Sequence, residues 1–373
     1  MLVHICCSVD SHYFIEELRK TYPNEKIIGY FYDPNIHPLS EYELRFLDVK
    51  RSCDKLGIKL YKGEYEYEKW LNAVRGYEDE PEKGARCEIC FDVRMGSSVK
   101  FAAKIGEKKL TTTLLTSPKK DLEQLKNALQ KECELYRVEF LAPDFRKNGG
   151  TQRQFALAKK EMLYHQNYCG CIYGLKKQKQ DKNFIDELMS PVNKQILPAS
   201  IEARIALYKK VVLWEKKGIK FEILREKFLN YRLLSALIKL DKKPVKSHIL
   251  FYSHFKNAYT RFSLDEENLK QNLKEGFYRS TKDEIVLVEF WRFNAFFKNK
   301  WKNFEDFLKR PLSVQAEIKW RNKLFGTYNL SPIIILENIL PSRYEVIAKS
   351  EIYHDNQEVL VKFKKFIKKN FFC

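Results

Sequence analysis

Six cysteines and one carboxylate carry the chemistry this sequence offers. Cys6 and Cys7 are adjacent, directly after the first apolar run, and Asp10 follows three residues beyond. Cys87 and Cys90 form a Cys-x-x-Cys pair preceded by Arg86, and Cys169-Gly170-Cys171 follows Tyr168. Thiolates three residues apart reach one metal or cluster when held in a turn or at a helix start. With Cys6 and Cys7, they supply four thiolates, enough for a [4Fe–4S] cluster or a zinc held by four cysteines. Two adjacent cysteines suit a structural zinc tetrahedron poorly, but they can splay or bridge to a second metal, which favours iron–sulfur.

Asp10 has two readings. One is an N-cap or first-turn acid of the first helix, stabilising by about 1 kcal/mol. The other is a hard oxygen ligand beside soft thiolates, the donor that holds a Lewis-acidic metal with open positions. Gly170 permits the tight backbone of a strained, easily reduced Cys-x-Cys disulfide, so Cys169 and Cys171 read as a dithiol passing electrons to the site or as extra metal ligands. Cys53 and Cys133 lie on helical patterns and read as core fillers; Cys373 is terminal. His37 reads as a loop hydrogen-bonder. Arg86 and Arg94 flank the Cys-x-x-Cys helix, placed to bind phosphate or to steady a cluster's charge, with solvent exposure the plainer reading of Arg94. Lys119, Lys120 and Arg146 read as phosphate contacts.

These residues need a scaffold. Leu2 to Cys6, Ile27 to Tyr32, Ile58 to Tyr61, Leu110 to Leu115 and Val138 to Leu141 read as strands, separated by stretches with apolar residues at helical spacing. Alternation with connections too long for hairpins predicts an α/β domain, residues 1–180. It would be a Rossmann-like, mostly parallel sheet with helices on both faces. Its strand-following loops gather at the carboxyl edge, where ligands bind. A basic α+β accessory domain is expected over 185–373. There Ile201 to Val212 and Phe221 to Leu240 read as helices, and a capping box at Ser263 and Glu266 starts another that stops at Gly276. Ile285 to Phe290, Pro332 to Leu336, Tyr344 to Ala348 and Val359 to Phe363 read as strands, the last two forming a hairpin around His354-Asp355-Asn356-Gln357.

The 373 residues suffice for about two domains. Nine cysteines do not form a secreted disulfide framework. The chain opens on a strand-like run without a basic leader, and no apolar run approaches the roughly 20 residues of a membrane span, so a soluble, cytoplasmic protein with no membrane partner is expected. Charge is uneven: residues 1–176 carry 29 Lys+Arg against 26 Asp+Glu, whereas the remaining 197 carry 39 against 23, a net +16. A near-neutral front and a basic back predict a catalytic domain joined to one that binds RNA or DNA.

Five motifs in order resemble QueH-type epoxyqueuosine reductases over roughly residues 1 to 175. They are His4-Ile5-Cys6-Cys7, the run Tyr30 to Pro38, Arg86-Cys87-x-x-Cys90, Thr111 to Pro118, and Tyr168-Cys169-Gly170-Cys171. The resemblance implies a Rossmannoid enzyme for the last step of queuosine synthesis on tRNA. That step is two-electron reduction of the epoxide on the modified wobble base, with the oxygen leaving as water. It implies that Cys6, Cys7, Cys87 and Cys90 hold the [4Fe–4S] cluster and that Cys169 and Cys171 are the redox-active pair. It further implies an adjacent mononuclear iron that shares cluster cysteines and is bound by an aspartate, for which Asp10 is the matching position. Many family members have Cys there, and Asp33 stands where the family commonly has Asn. The implied partners are tRNA carrying epoxyqueuosine and an electron donor the residues do not identify.

Two other readings remain open on the residues. An iron–sulfur tRNA thiolase, or another nucleotide-activating Rossmannoid enzyme, calls for a glycine-rich phosphate loop after the first strand, a place taken here by Cys6-Cys7-Ser8-Val9-Asp10. The third is a zinc-stabilised RNA-binding protein without enzymatic activity.

Overall fold

A computed structural model describes residues 1–117, 122–166, 168–178, 197–273 and 275–363. The early apolar runs form five parallel strands, β1 (Leu2–Ile5), β2 (Ile28–Phe31), β3 (Lys59–Lys62), β4 (Lys109–Thr112) and β5 (Glu139–Phe140), in the order β3-β2-β1-β4-β5. Between and after them run α1 (Ser8–Thr21), α2 (Leu39–Leu56), α3 (Tyr67–Ala73), α4 (Ala85–Lys104), α5 (Leu122–Tyr136), α6 (Gly150–Lys160) and α7 (Ile172–Gln178). Alternation along β1 sends its side chains to two cores. Val3 and Ile5 join Phe14, Ile15 and Leu18 of α1 and Val49 and Cys53 of α2. Leu2 and Cys6 join Phe91, Met95 and Val99 of α4 and Leu125, Leu129 and Cys133 of α5. The sheet is therefore covered by helices on both faces, and Cys53 and Cys133 fill its cores. The strand expected over Leu110 to Leu115 ends at Thr112, where a 3-10 turn, Thr113–Thr116, begins.

Strand order reverses between β1 and β4, and at such a switch point the loops leave in opposite directions and open a crevice. Cys6 lies at the end of β1 beside Thr113 at the end of β4, in the crevice itself.

Among the described residues the chain divides into two units, one comprising residues up to 178 with 200–224 and 358–363, the other 197–199 and 225–357. The boundary expected at 180–185 lies outside the described residues. Helix α8 (Ile201–Lys216), expected in the accessory domain, belongs to the first unit and packs on α2. Tyr208 and Ile201 join Leu44, Tyr164 and Tyr168 in one apolar cluster, and Arg51 of α2 reaches Glu215 at 2.7 Å.

The back of the chain is α+β but differs from the expected elements. Phe221–Leu240 is not a helix but one strand, β6, followed by β7 (Lys243–Pro244), β8 (His248–Ile249) and β9 (Tyr259–Leu264). The two strands expected around residues 354–357 are a single one. After α9 (Glu266–Asn272), β10 (Phe277–Arg279), β11 (Val286–Glu289), α10 (Phe290–Phe296), α11 (Phe304–Lys309), α12 (Val314–Phe325) and β12 (Ile333–Leu336), β13 runs unbroken from Ser342 to Lys362. The reason is tertiary: β6 and β13 are neighbours in the sheet β7-β6-β13-β9, so each satisfies the other's backbone over a length no local turn interrupts. Asp355, expected in a turn, instead accepts from the Asn230 side chain of β6 at 2.7 Å. A second sheet, β10-β11-β12-β8, has one parallel pair, β11 with β12.

One glycine fixes how α6 meets α1. A Cβ on Gly150 would lie 1.8 Å from the Phe145 carbonyl oxygen, which also accepts from the Tyr13 hydroxyl of α1. Gly150→Ala is expected to lower stability by about 1–3 kcal/mol, read as a lower urea midpoint; an unchanged midpoint would mean the loop before α6 yields freely.

Candidate active site

Cys7 is extended (φ −160°, ψ 163°) and is the N-cap residue of α1, so the helix opens at the thiols. The Cys6 and Cys7 sulfurs are 3.9 Å apart. Asp10 is not the cap; it sits in the first helical turn, and its Oδ2 accepts from the Cys6 thiol at 3.5 Å. The donor atoms of Cys6, Cys7 and Asp10 all lie within 4.8 Å of one another, a spacing that one metal ion can span. The other carboxylate oxygen, Oδ1, accepts from Gln154 Nε2 of α6 at 2.6 Å.

Cys87 and Cys90 lie in the first two turns of α4. Cys87 packs against the core cluster that contains Cys6 and Cys7, and its sulfur accepts from the Lys83 amide at 3.3 Å. Cys90 packs with Trp70 and Cys171. The exposure expected for Arg94 is not found: it is buried and paired with Asp33. Burial works against its charge, but Asp33 first, then the thiols of Cys90, Cys6 and Cys169, more than offset this and raise its pKa. Arg86 is buried too. Its guanidinium donates to the carbonyls of Tyr77, Glu78 and Glu80 at 3.3, 2.9 and 2.7 Å, so it clamps the loop before α4.

The Cys169-Gly170-Cys171 turn is held from α2. Buried Arg45 bonds Glu41 at 2.8 Å and donates to the carbonyls of Tyr168 and Cys169 at 3.1 and 3.3 Å. Gly170 has φ +120°, and a Cβ there would sit 3.1 Å from both Arg45 and Ile36, so only glycine fits. His37 bonds this turn as a loop residue through its backbone, its N–H donating to the Gly170 carbonyl at 2.9 Å. No disulfide joins Cys169 to Cys171. Cys169 is partly exposed, whereas burial, then Cys169, pushes the Cys171 thiol up to about 12. A cavity of about 350 Å³ is lined among others by Cys6, Asp10, Asp33, Asn35, Arg94, Phe155, Tyr168 and Cys169, whereas Cys7, Cys87, Cys90 and Cys171 do not line it.

A family model described as epoxyqueuosine reductase QueH matches residues 1–177. A curated relative from Helicobacter pylori, named epoxyqueuosine reductase QueH, is 39% identical over 346 residues, 90% of this chain and 94% of its own length. The chain belongs to the QueH family. Another QueH relative, from Thermotoga maritima, is 36% identical over 183 residues, 48% of this chain and 92% of its own. The part shared across the QueH family is thus the front of the chain, and the Helicobacter pylori relative shares the back as well. A solved U34-tRNA thiolase NcsA from Methanococcus maripaludis with its [4Fe-4S] cluster is similar at a TM-score of 0.32 and 11% identity, over 57% of this chain and 73% of that one. That likeness is too remote to carry function.

Three residues of this QueH site were given no role by the sequence, although His4 stands in its first motif. His4 is wholly buried; its Nε2 lies 3.0 Å from the Tyr32 carbonyl and its Nδ1 2.9 Å from the Thr112 hydroxyl. A carbonyl only accepts, so Nε2 carries the proton and Nδ1 accepts from Thr112. Burial, then Arg94, lowers its pKa, so this neutral ring ties the ends of β2, β1 and β4 beneath Cys6. Arg45 and Gln154 are the others. Arg146, in the loop after β5, donates to the Ser117 carbonyl at 3.1 Å; Lys119, Lys120 and Cys373 lie outside the described residues. Among the described residues no helix is long and apolar enough to cross a membrane.

Proposed function

We propose that this QueH family member reduces epoxyqueuosine to queuosine at the wobble position of tRNA. The observation that carries the reading is one cavity at the sheet's switch point lined by Cys6, Asp10 and Cys169 together. The donor set suits the groups the family resemblance implies. Cys6, Cys7, Cys87 and Cys90 are soft thiolates for a [4Fe–4S] cluster. Asp10 is a hard donor for a further mononuclear iron, and its position within 4.8 Å of Cys6 and Cys7 supports that assignment. Bound there, these groups supply electrons and an electrophile for the leaving oxygen.

The chain's own residues do the rest. Cys169 and Cys171 together hold two protons and two electrons on sulfur. Closing them to a disulfide releases both pairs, which balances breaking the two epoxide C–O bonds to leave a C=C bond and water. An external two-electron donor then restores the dithiol. The raised pKa of Cys171 keeps its proton in place at neutral pH, available to the reaction rather than lost to solvent. Asn35 Oδ1 and Gln166 Oε1 line the cavity as buried acceptors without a hydrogen-bond partner among the described residues, and they orient a substrate through its hydroxyl or amine groups. The net +16 beyond residue 176 supplies attraction for the tRNA polyanion. Action on tRNA sets the reaction in the cytoplasm.

The direct test is the nucleoside profile of tRNA from cells lacking this protein. Epoxyqueuosine is expected to accumulate; a normal queuosine level would overturn the proposal. Gln154 tests the metal arrangement, since its amide occupies Asp10 Oδ1 and leaves Oδ2 toward the thiols. A hydrogen bond to a charged group contributes about 1.5–3 kcal/mol, so Gln154→Leu is expected to lower turnover roughly tenfold to a hundredfold. Bound iron per chain should fall with it, and unchanged iron and turnover would show that Asp10 holds its pose unaided.

A further inference from the structure

The positive charge of the second unit is not uniformly neutralised. Around α11 the cations are paired: Lys246 with Glu305 at 2.6 Å, Lys309 with Glu305 at 4.0 Å, and Arg310 with Asp306 at 2.5 Å. Arg292 of α10 is paired with Glu275. The loop between α10 and α11 is different. Lys298, Lys300 and Lys302 are all exposed, and among the described residues none has a carboxylate within ion-pair distance.

This loop is built rather than loose. The buried Asn294 side chain donates to the Trp301 carbonyl at 2.8 Å and accepts from the Trp301 amide at 3.2 Å. The amides of Lys298 and Asn299 donate to the carbonyls of Ala295 and Asn294 at 3.1 and 3.0 Å. Lys298 and Asn299 both take left-handed backbone angles, φ 56° and 53°, which side-chain-bearing residues rarely adopt. The buried indole of Trp301 anchors the far end by donating to the Arg310 carbonyl at 2.8 Å. The backbone that carries the three lysines is thereby fixed, and Lys300 Nζ lies 5.0 Å from the centre of the Trp301 ring.

The helix that leads into this loop carries an exposed aromatic ring. Trp291 is 52% exposed, and its indole N–H donates to Glu289 at 2.6 Å, which fixes the ring while leaving area open to solvent. Trp291 and Ala295 are one helical turn apart on α10 and both exposed, and the exposed Lys298 follows two residues after that helix ends. Exposed cations on an ordered loop and an exposed aromatic ring on the helix that leads into it match the two chemistries of a single-stranded or looped nucleic acid, phosphates for the one and an unpaired base for the other.

We propose that Lys298, Lys300, Lys302 and Trp291 form an RNA-docking surface, the lysines on backbone phosphates and the indole beneath an unstacked base. This rests on the reading that tRNA is the substrate. The test uses the full chain and unfractionated tRNA, with binding followed by fluorescence anisotropy across a KCl series. Replacing the three lysines by glutamine is expected to weaken binding by about tenfold near 0.1 M KCl and to flatten the log–log salt slope by about two. Trp291→Ala is expected to weaken binding roughly tenfold with the slope unchanged, because stacking releases no counterions. Wild-type affinity and slope in both variants would overturn the surface, the lysines then serving solubility or a protein partner. The two readings fail separately. Wild-type protein that binds tRNA through these residues without converting epoxyqueuosine would refute the activity alone, whereas normal conversion with unaltered binding in both variants would refute the surface alone.

Discussion

Replacing Asp10 by asparagine is expected to lower turnover by about a thousandfold while the visible absorption of the iron–sulfur chromophore is retained. The amide is nearly isosteric, and its oxygen still accepts from Gln154, so α1 and α6 keep their contact. What changes is the atom beside Cys6 and Cys7: a charged acceptor becomes a neutral NH2 that cannot ligate a metal through its donor face. Loss of one transition-state interaction with a metal is worth several kcal/mol, and each 1.4 kcal/mol is about tenfold in rate. Iron per chain should fall by about one with the cluster spectrum intact. Undiminished turnover in the variant would rule out a catalytic role for this carboxylate.

The second large effect concerns the Cys169 and Cys171 pair. Cys171→Ser keeps an atom that can accept from the Gly174 amide, as the sulfur does at 3.2 Å, so the start of α7 should fold normally. Without the second sulfur no disulfide forms, and multiple turnovers should fall by at least about a hundredfold. The two thiols should also differ in reactivity. With Cys171 raised to about 12, alkylation of the folded protein at neutral pH should label Cys169 first and reach Cys171 only as the pH approaches that value. A double serine variant that still turns over would remove the pair from the reaction, whereas full labelling of Cys171 at pH 7 in the folded protein would show that its pKa is not raised.

How much of this was legible in the chain depends on the range of the contact. Period-two runs and helical runs alternate over the first 170 residues because each element must bury one side against a neighbour of known type, so the five-stranded sheet could be read element by element. The grouping of Cys6, Cys7 and Asp10 was equally legible, since a strand end and one helical turn suffice to bring them together. Arg94 was not. Its exposure was the plain reading because Asp33, which pairs with it, lies 61 residues away.

Phe221 to Leu240 fits either a helix or a strand by spacing, and the choice was made by β13, more than a hundred residues later, which offers a backbone ladder along its length. The same partner turned His354 to Gln357 from an expected turn into the interior of a strand. Gln154 and His4 make the same point at the site: each depends on a partner more than a hundred residues distant, Asp10 for the one and Thr112 for the other. The sequence by itself therefore determined the family, the α/β order of the front domain and the residue types able to do chemistry, because these rest on local periodicity and on side-chain identity. Only the tertiary structure decided which charges are buried, which oxygen of Asp10 faces the thiols and which lysines stand unpaired. Those follow from desolvation and from hydrogen-bond geometry, which exist only once distant segments meet.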